Sequence, residues 1–84
     1  MDSMAQHIEV QVLDRHGQPV NNERVSIFAT HIAATGGIPD QWTDTAGVAR
    51  FDLEIEATEE VILYVKGRER VPRAPLKPQY RVVT

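Results

Sequence analysis

A chain of 84 residues with net charge −3 and no cysteine has room for one domain. The lack of cysteine excludes a disulfide-stapled scaffold and a thiolate metal site. Apolar residues make up 42% and charged residues 25%, the balance of an ordinary globular domain, and no apolar run approaches the roughly 20 residues of a membrane-spanning helix. A domain this small buries only about 60–65% of its unfolded surface, so most apolar strand positions must contribute to the core.

Met1–Gln6 has neither the basic start nor the apolar centre of a signal peptide, and reads as a disordered lead before a single domain over residues 7–84. That leaves the compartment open: the chain is either cytosolic or a domain cut from a longer exported protein. The first element is His7–Leu13, where Ile8, Val10 and Val12 alternate with Glu9 and Gln11, a period of two with one face in a core. Asp14-Arg15-His16-Gly17 closes it as a tight turn, Asp bonding back to the backbone and Gly taking a positive φ. Pro19–Asn22 follows as irregular or edge chain. The second strand, Arg24–Thr30, sends Val25, Ile27 and Ala29 to one face and Phe28 to the other.

Residues 31–40 read as a loop, because Gly36, Gly37 and Pro39 stop the helical turn that Ile32-Ala33-Ala34 would begin. Gln41–Thr43 is a short strand whose Trp42 indole is expected to fill much of the small core. Asp44-Thr45-Ala46-Gly47 is a second tight turn, and Val48–Ile55 alternates Phe51, Leu53 and Ile55 with Asp52 and Glu54. After a turn at Thr58–Glu60, Val61–Lys66 is the most β-prone strand of the chain. Gly67 breaks it, Arg68–Val71 returns, and Gln79–Val83 is the last strand. About seven short strands with turn signals every eight to twelve residues predict an all-β, two-sheet antiparallel β-sandwich.

The run Val12–Val20, with Asp14, Gly17 and Pro19-Val20, and the run Trp42–Phe51, with Thr43-Asp44, Gly47 and Phe51, together resemble a bacterial sandwich family. The pattern is similar to that of Ig-like domains of invasin and intimin type adhesins, and of carboxypeptidase regulatory-like (prealbumin-like) domains. It covers roughly residues 8–67, and departs after Gly67, where a proline-spaced basic segment stands in place of the expected closing strand. The resemblance implies a non-enzymatic spacer, adhesion or docking module of a larger bacterial surface, secreted or phage-like assembly.

The enzymatic alternative comes from the same fold. Hydroxyisourate hydrolase, a transthyretin relative, uses two histidines, an arginine and a terminal Tyr-Arg-Gly-Ser, which would give His7 and Arg81 roles in activating water and holding an anion. Here Tyr80-Arg81 continues as Val82-Val83-Thr84, and no histidine follows His31. Ser3 and Ser26 lack the Gly-x-Ser-x-Gly setting of a hydrolase serine. His7, His16 and His31 have no close ligand spacing, and turn formation accounts for Asp14 and Asp44 without calcium. The expectation is therefore a protein that is not an enzyme and uses no cofactor or metal.

Residues 1–65 carry eleven acids against three arginines, while residues 66–84 carry six bases against Glu69. The simplest account is that the basic strands present their outward faces to acidic neighbours, and Glu54, Glu56, Glu59 and Glu60 form a solvated face. Pro72, Pro75 and Pro78 recur every three residues, the repeat of polyproline II. Residues 72–77 also fit the Pro-x-x-Pro-x-basic form docked by SH3-like grooves. The plainer reading of 72–78 is an extended edge segment whose prolines discourage sheet-to-sheet aggregation. Nucleic acid is excluded as a partner by the net negative charge, with only Tyr80 nearby for stacking. The candidate contact surface combines the loop Thr30–Trp42 with Lys66–Arg81, and its binding residues are Trp42, Arg68, Arg70, Arg73 and Lys77. The expected partner is a protein, with a carbohydrate on Trp42 as the alternative.

Overall fold

Among the described residues, period-two patterning is carried through as seven strands, with no helix. The structure, a computed structural model, describes residues 5–29, 38–56 and 58–84. In chain order the strands are β1 (Ala5–Leu13), β2 (Arg24–Ala29), β3 (Gln41–Trp42), β4 (Val48–Glu54), β5 (Glu60–Val65), β6 (Arg68–Pro75) and β7 (Gln79–Val83). They form a three-stranded sheet in the order β4-β1-β7 and a four-stranded sheet in the order β3-β2-β5-β6, not closed into a barrel.

The core lies between the sheets. Alternate residues of each long strand enter it: Ile8, Val10 and Val12 of β1, Ala49, Phe51 and Leu53 of β4, Val25 and Ile27 of β2, and Val61, Leu63 and Val65 of β5. Burying each of the larger of these side chains contributes about 1.5–3 kcal/mol. The intervening residues, Asp52 and Glu54 among them, face solvent. The strand starts and ends expected from sequence hold to within a few residues, except that β6 runs on to Pro75.

Both Asp-x-x-Gly turns form, with the same wiring. Asp14 Oδ1 accepts the N–H groups of His16 (2.8 Å) and Gln18 (2.9 Å), and the Gly17 N–H donates to the Asp14 carbonyl at 3.0 Å. Asp44 Oδ1 accepts from Ala46 (2.9 Å) and Val48 (3.0 Å), with the Gly47 N–H on the Asp44 carbonyl at 2.9 Å. Gly17 and Gly47 sit at φ +80° and +77°, where an L side chain crowds its own carbonyl. These backbone donors, led by those of Gln18 and Val48, hold the two carboxyls below the ordinary aspartate range. The Arg50 guanidinium adds to the effect on Asp44 from 2.9 Å.

The second turn is also locked to the first strand. The Val12 N–H donates to the Gly47 carbonyl at 2.7 Å, and the Val12 carbonyl accepts from Val20 at 3.0 Å. Next to it, buried Thr43 ties down the chain between β1 and β2: its hydroxyl donates to the Val20 carbonyl (2.6 Å) and accepts from the Glu23 N–H (2.7 Å).

Three features differ from the sequence expectation. Trp42 is 55% exposed, so it is a surface residue and not a core one. Alternation gives the inward position to Thr43, whose hydroxyl is needed there, and Phe51 occupies the centre of the core at 2% exposure. Second, the prolines do not replace a strand. Pro72 and Pro75 lie within β6, an edge strand whose pairing with β5 shifts register at two places, and edges and bulges are where a missing N–H is tolerated. Third, β7 joins the other sheet parallel to β1, so the sandwich is not wholly antiparallel. The chain reaches it across Leu76–Pro78, with the Leu76 N–H on the Glu59 carbonyl at 2.9 Å and the Pro78 carbonyl accepting from Glu9 at 3.0 Å. The Met1–Met4 part of the expected disordered lead, Thr30 at the end of the expected second strand and His31–Gly37 of the expected loop lie outside the described residues; Ala5 and Gln6 of that lead belong to β1.

Candidate interaction surface

The outer face of the four-stranded sheet is set by strand parity. With Val25 and Ile27 inward, β2 presents Arg24, Ser26 and Phe28 outward; with Val61, Leu63 and Val65 inward, β5 presents Glu60, Ile62 and Tyr64. The register aligns these into rows. Trp42 lies opposite Arg24, Ser26 opposite Tyr64, and Phe28 opposite Ile62, while Tyr64 in turn lies opposite Glu69 of β6. Directly opposed residues share a face. Phe28 and Tyr64 meet edge to face, with centroids 5.3 Å apart and planes at 61°. Phe28 is 59% exposed and Trp42 55%, so three of the five aromatic residues of the chain stand on this one face.

Cations gather at the end of the face where Trp42 sits. The β5–β6 hairpin turns through Lys66 and Gly67, both at positive φ (58° and 78°), the geometry of a type I′ turn. The Lys66 N–H donates to the Arg24 carbonyl at 3.0 Å. The Arg24 guanidinium reaches over the turn, 3.6 Å from where a Cβ on Gly67 would be, and its Nε lies 3.8 Å from Asp40. At the opposite end of the face Arg73 faces Glu60 at 3.7 Å.

The expected binding residues therefore divide. Trp42 and Arg68 fall at the same end of the four-stranded sheet, Arg68 directly after the hairpin and opposite Val65. Arg70 lies at the first register shift of β6 and Arg73 near the second, beside Glu60. Lys77 belongs to the crossover, where its backbone N–H donates to the Tyr80 hydroxyl at 3.0 Å. Sequence reasoning missed Arg24, Phe28, Ile62 and Tyr64 as surface partners. The signal was parity: once Val61, Leu63 and Val65 are inward, Ile62 and Tyr64 must be outward, and Phe28 already stood on the outward side of β2.

The outer face of the three-stranded sheet carries an ion-pair network around His7 and Arg50, with exposed Val83 opposite Leu13 at its far end. His7 Nδ1 and Asp52 Oδ1 are 2.8 Å apart, and Glu9 lies 3.6 Å from His7 Nε2 and 3.5 Å from Arg50 Nε. The hydrogen bond to Asp52, reinforced by Glu9, raises the His7 pKa above its ordinary value. A shallow groove of about 390 Å³ runs beside this network, lined by Glu9, Gln11, Val48, Gln79, Tyr80 and Arg81. Arg81 lies opposite Gln11 on β1, four residues along that strand from His7, or about 13 Å at strand rise. His16 is in the first tight turn and His31 lies outside the described residues.

The sequence matches no protein-family model and no curated protein.

Proposed function

We propose that this domain is a non-catalytic interaction module that docks a protein partner on the outer face of its four-stranded sheet. The observation that carries the reading is the exposure of Trp42 (55%) and Phe28 (59%) on one face, with the Tyr64 ring against Phe28. A small domain has strong reason to bury its large rings. Aromatic and arginine side chains are also the residues that carry most of the energy in protein interfaces. The sequence resemblance to bacterial Ig-like and carboxypeptidase regulatory-like domains supports a role as a structural or docking unit of a larger surface, secreted or phage-like assembly.

The test is affinity capture with the wild-type domain and with a Trp42→Ala/Phe28→Ser variant, followed by reconstitution with the purified partner. The expected result is a protein that binds the wild type and not the variant, at closely similar melting temperatures. Undiminished binding by the variant would move the contact surface elsewhere on the domain.

A further inference from the structure

A second unfilled surface lies at the edge of the three-stranded sheet, separate from the aromatic face, and strand order locates it. β3 and β4 are joined by the short Asp44–Gly47 turn and mark one side of the sandwich. With the sheets stacked face to face, the orders β3-β2-β5-β6 and β4-β1-β7 set β2 over β1 and β5 over β7. β6 is left with no strand beneath it. Burial agrees: β2, β4 and β5 bury alternate residues, whereas β6 buries none of its eight. Arg68 has inward parity, being opposite buried Val65, and is exposed; Val71, opposite buried Leu63, is only half-buried. Leu76 and Tyr80 pack against the core on the same side and are half-buried too.

β7 borders that empty position with an unused ladder. The Pro78 carbonyl accepts from the Glu9 N–H at 3.0 Å, and the Thr84 N–H donates to the Leu13 carbonyl at 2.8 Å. In a parallel pair this sets the parity: Tyr80 and Val82 turn their N–H and C=O groups toward β1, and Gln79, Arg81 and Val83 turn theirs away. Among the described residues nothing bonds to those three backbones. The other edges are guarded. β3 has two residues, and β6 carries Pro72, Pro75 and two register shifts. β4 closes the Val48 N–H and carbonyl onto Asp44, each at 3.0 Å, and continues with the charged Arg50, Asp52 and Glu54. Such devices discourage strand pairing; β7 has none of them, with no proline, an unbroken register and one charge.

We propose that β7 takes up one extended segment of another protein as a fourth, antiparallel strand of the β4-β1-β7 sheet. A row of backbone donors and acceptors is matched by an extended backbone lying about 4.8 Å away. The residues of that segment opposite Tyr80 and Val82 would face the half-buried Val71, Leu76 and Tyr80 and are apolar. Those opposite Gln79, Arg81 and Val83 would carry the hydrogen bonds and turn polar side chains to solvent. The occupant is a single segment rather than a second copy of the domain, because the vacancy is one strand wide and roofed by β6. A copy pairing through its own β7 would drive its β6 into this one, and the register using all three residues would oppose Arg81 to Arg81, a destabilising like-charge pair.

The experiment begins with amide exchange of the domain alone, read by NMR. Gln79, Arg81 and Val83 should exchange roughly tenfold or more faster than Tyr80 and Val82; equal protection of all five would mean an edge already covered, and would overturn the proposal. Random 12-residue peptides displayed on phage are then selected against the immobilised domain, and enriched peptides are made synthetically. The expected peptides alternate apolar and polar residues, lack proline in that stretch, and slow exchange at Gln79, Arg81 and Val83 when bound. N-methylation of their polar-parity residues should weaken binding about tenfold or more, since those N–H groups carry the ladder, while N-methylation of the apolar parity should leave it nearly unchanged. Equal effects of the two parities, or no enrichment, would overturn the proposal. So would protection of the same amides by a concentration-dependent dimer of the domain. Peptides that shift only the Phe28, Ile62 and Tyr64 resonances would also overturn it, and would leave the reading of the aromatic face standing.

Discussion

Gly17 and Gly47 occupy equivalent positions in two turns of the same design, yet the structure predicts very different responses to alanine. Both lie at positive φ, +80° and +77°, where a Cβ is worth about 1–2 kcal/mol of strain. Reduced freedom of the unfolded chain returns about 0.4–1 kcal/mol in each case. A Cβ at Gly17 meets nothing within 4 Å, whereas one at Gly47 falls 2.7 Å from the Val12 carbonyl oxygen and 2.9 Å from Pro19 Cβ. That oxygen cannot move aside freely. It accepts the Val20 N–H at 3.0 Å, while the Val12 N–H is bonded to Gly47 itself at 2.7 Å. Overpacking of this kind costs about 1–3 kcal/mol, and each weakened hydrogen bond a further 0.5–1.5 kcal/mol or so. Gly17→Ala should therefore lose about 1 kcal/mol and Gly47→Ala about 3–4 kcal/mol. In a domain of this size that is a Tm drop of roughly 4–8 °C against 12 °C or more. Thermal and urea unfolding followed by circular dichroism measure both, and an unchanged urea m-value keeps the comparison two-state. Asparagine, which tolerates positive φ, should restore position 17 and fail at position 47. Equal losses at the two sites, or rescue of both by asparagine, would refute the role assigned to the close approach at Gly47.

The remaining predictions concern the core, the Thr43 clamp and pH. Trp42→Ala should change stability by less than about 1 kcal/mol, while Phe51→Ala should lose about 3–5 kcal/mol, as chemical denaturation will show. Thr43→Val keeps the shape but leaves the Glu23 N–H and Val20 carbonyl without their partner; the expected loss is about 1–3 kcal/mol, with faster amide exchange at Glu23. The depressed carboxyls of Asp14 and Asp44 contribute stability above their unfolded pKa, near 4, and that contribution is lost as pH falls through the lower folded values. Melting temperatures between pH 7 and 2 should therefore fall less steeply in Asp14→Asn/Asp44→Asn, since asparagine keeps the acceptor oxygen but does not titrate. His7 acts in the opposite sense: its raised pKa gives a contribution present below about pH 6.5 and lost as pH rises through the folded value, reduced in Asp52→Ala, where only Glu9 remains beside the ring.

What the sequence by itself determined is the local chemistry. A strand alternating Ile8, Val10 and Val12 can hide only one face, and an aspartate three residues before a glycine closes a turn without help from the rest of the chain. Seven strands, both turns and the inward set of β1, β2 and β4 follow from such short-range rules, as does the outward placement of Phe28. What only the tertiary structure decided is where strands go after they form. β7 pairs parallel with β1 in the opposite sheet because the chain crosses over at Leu76–Pro78, and no local pattern encodes the partner of an edge. The position of Trp42 was decided the same way. Parity in a two-residue strand depends on whether Trp42 or Thr43 turns inward, and the choice rests with the Val20 carbonyl and Glu23 N–H, twenty or more residues away, which need the threonine hydroxyl. Once Thr43 is inside, the indole is outside, opposite Arg24, and a ring that composition assigns to the core becomes part of the surface on which the domain is proposed to bind.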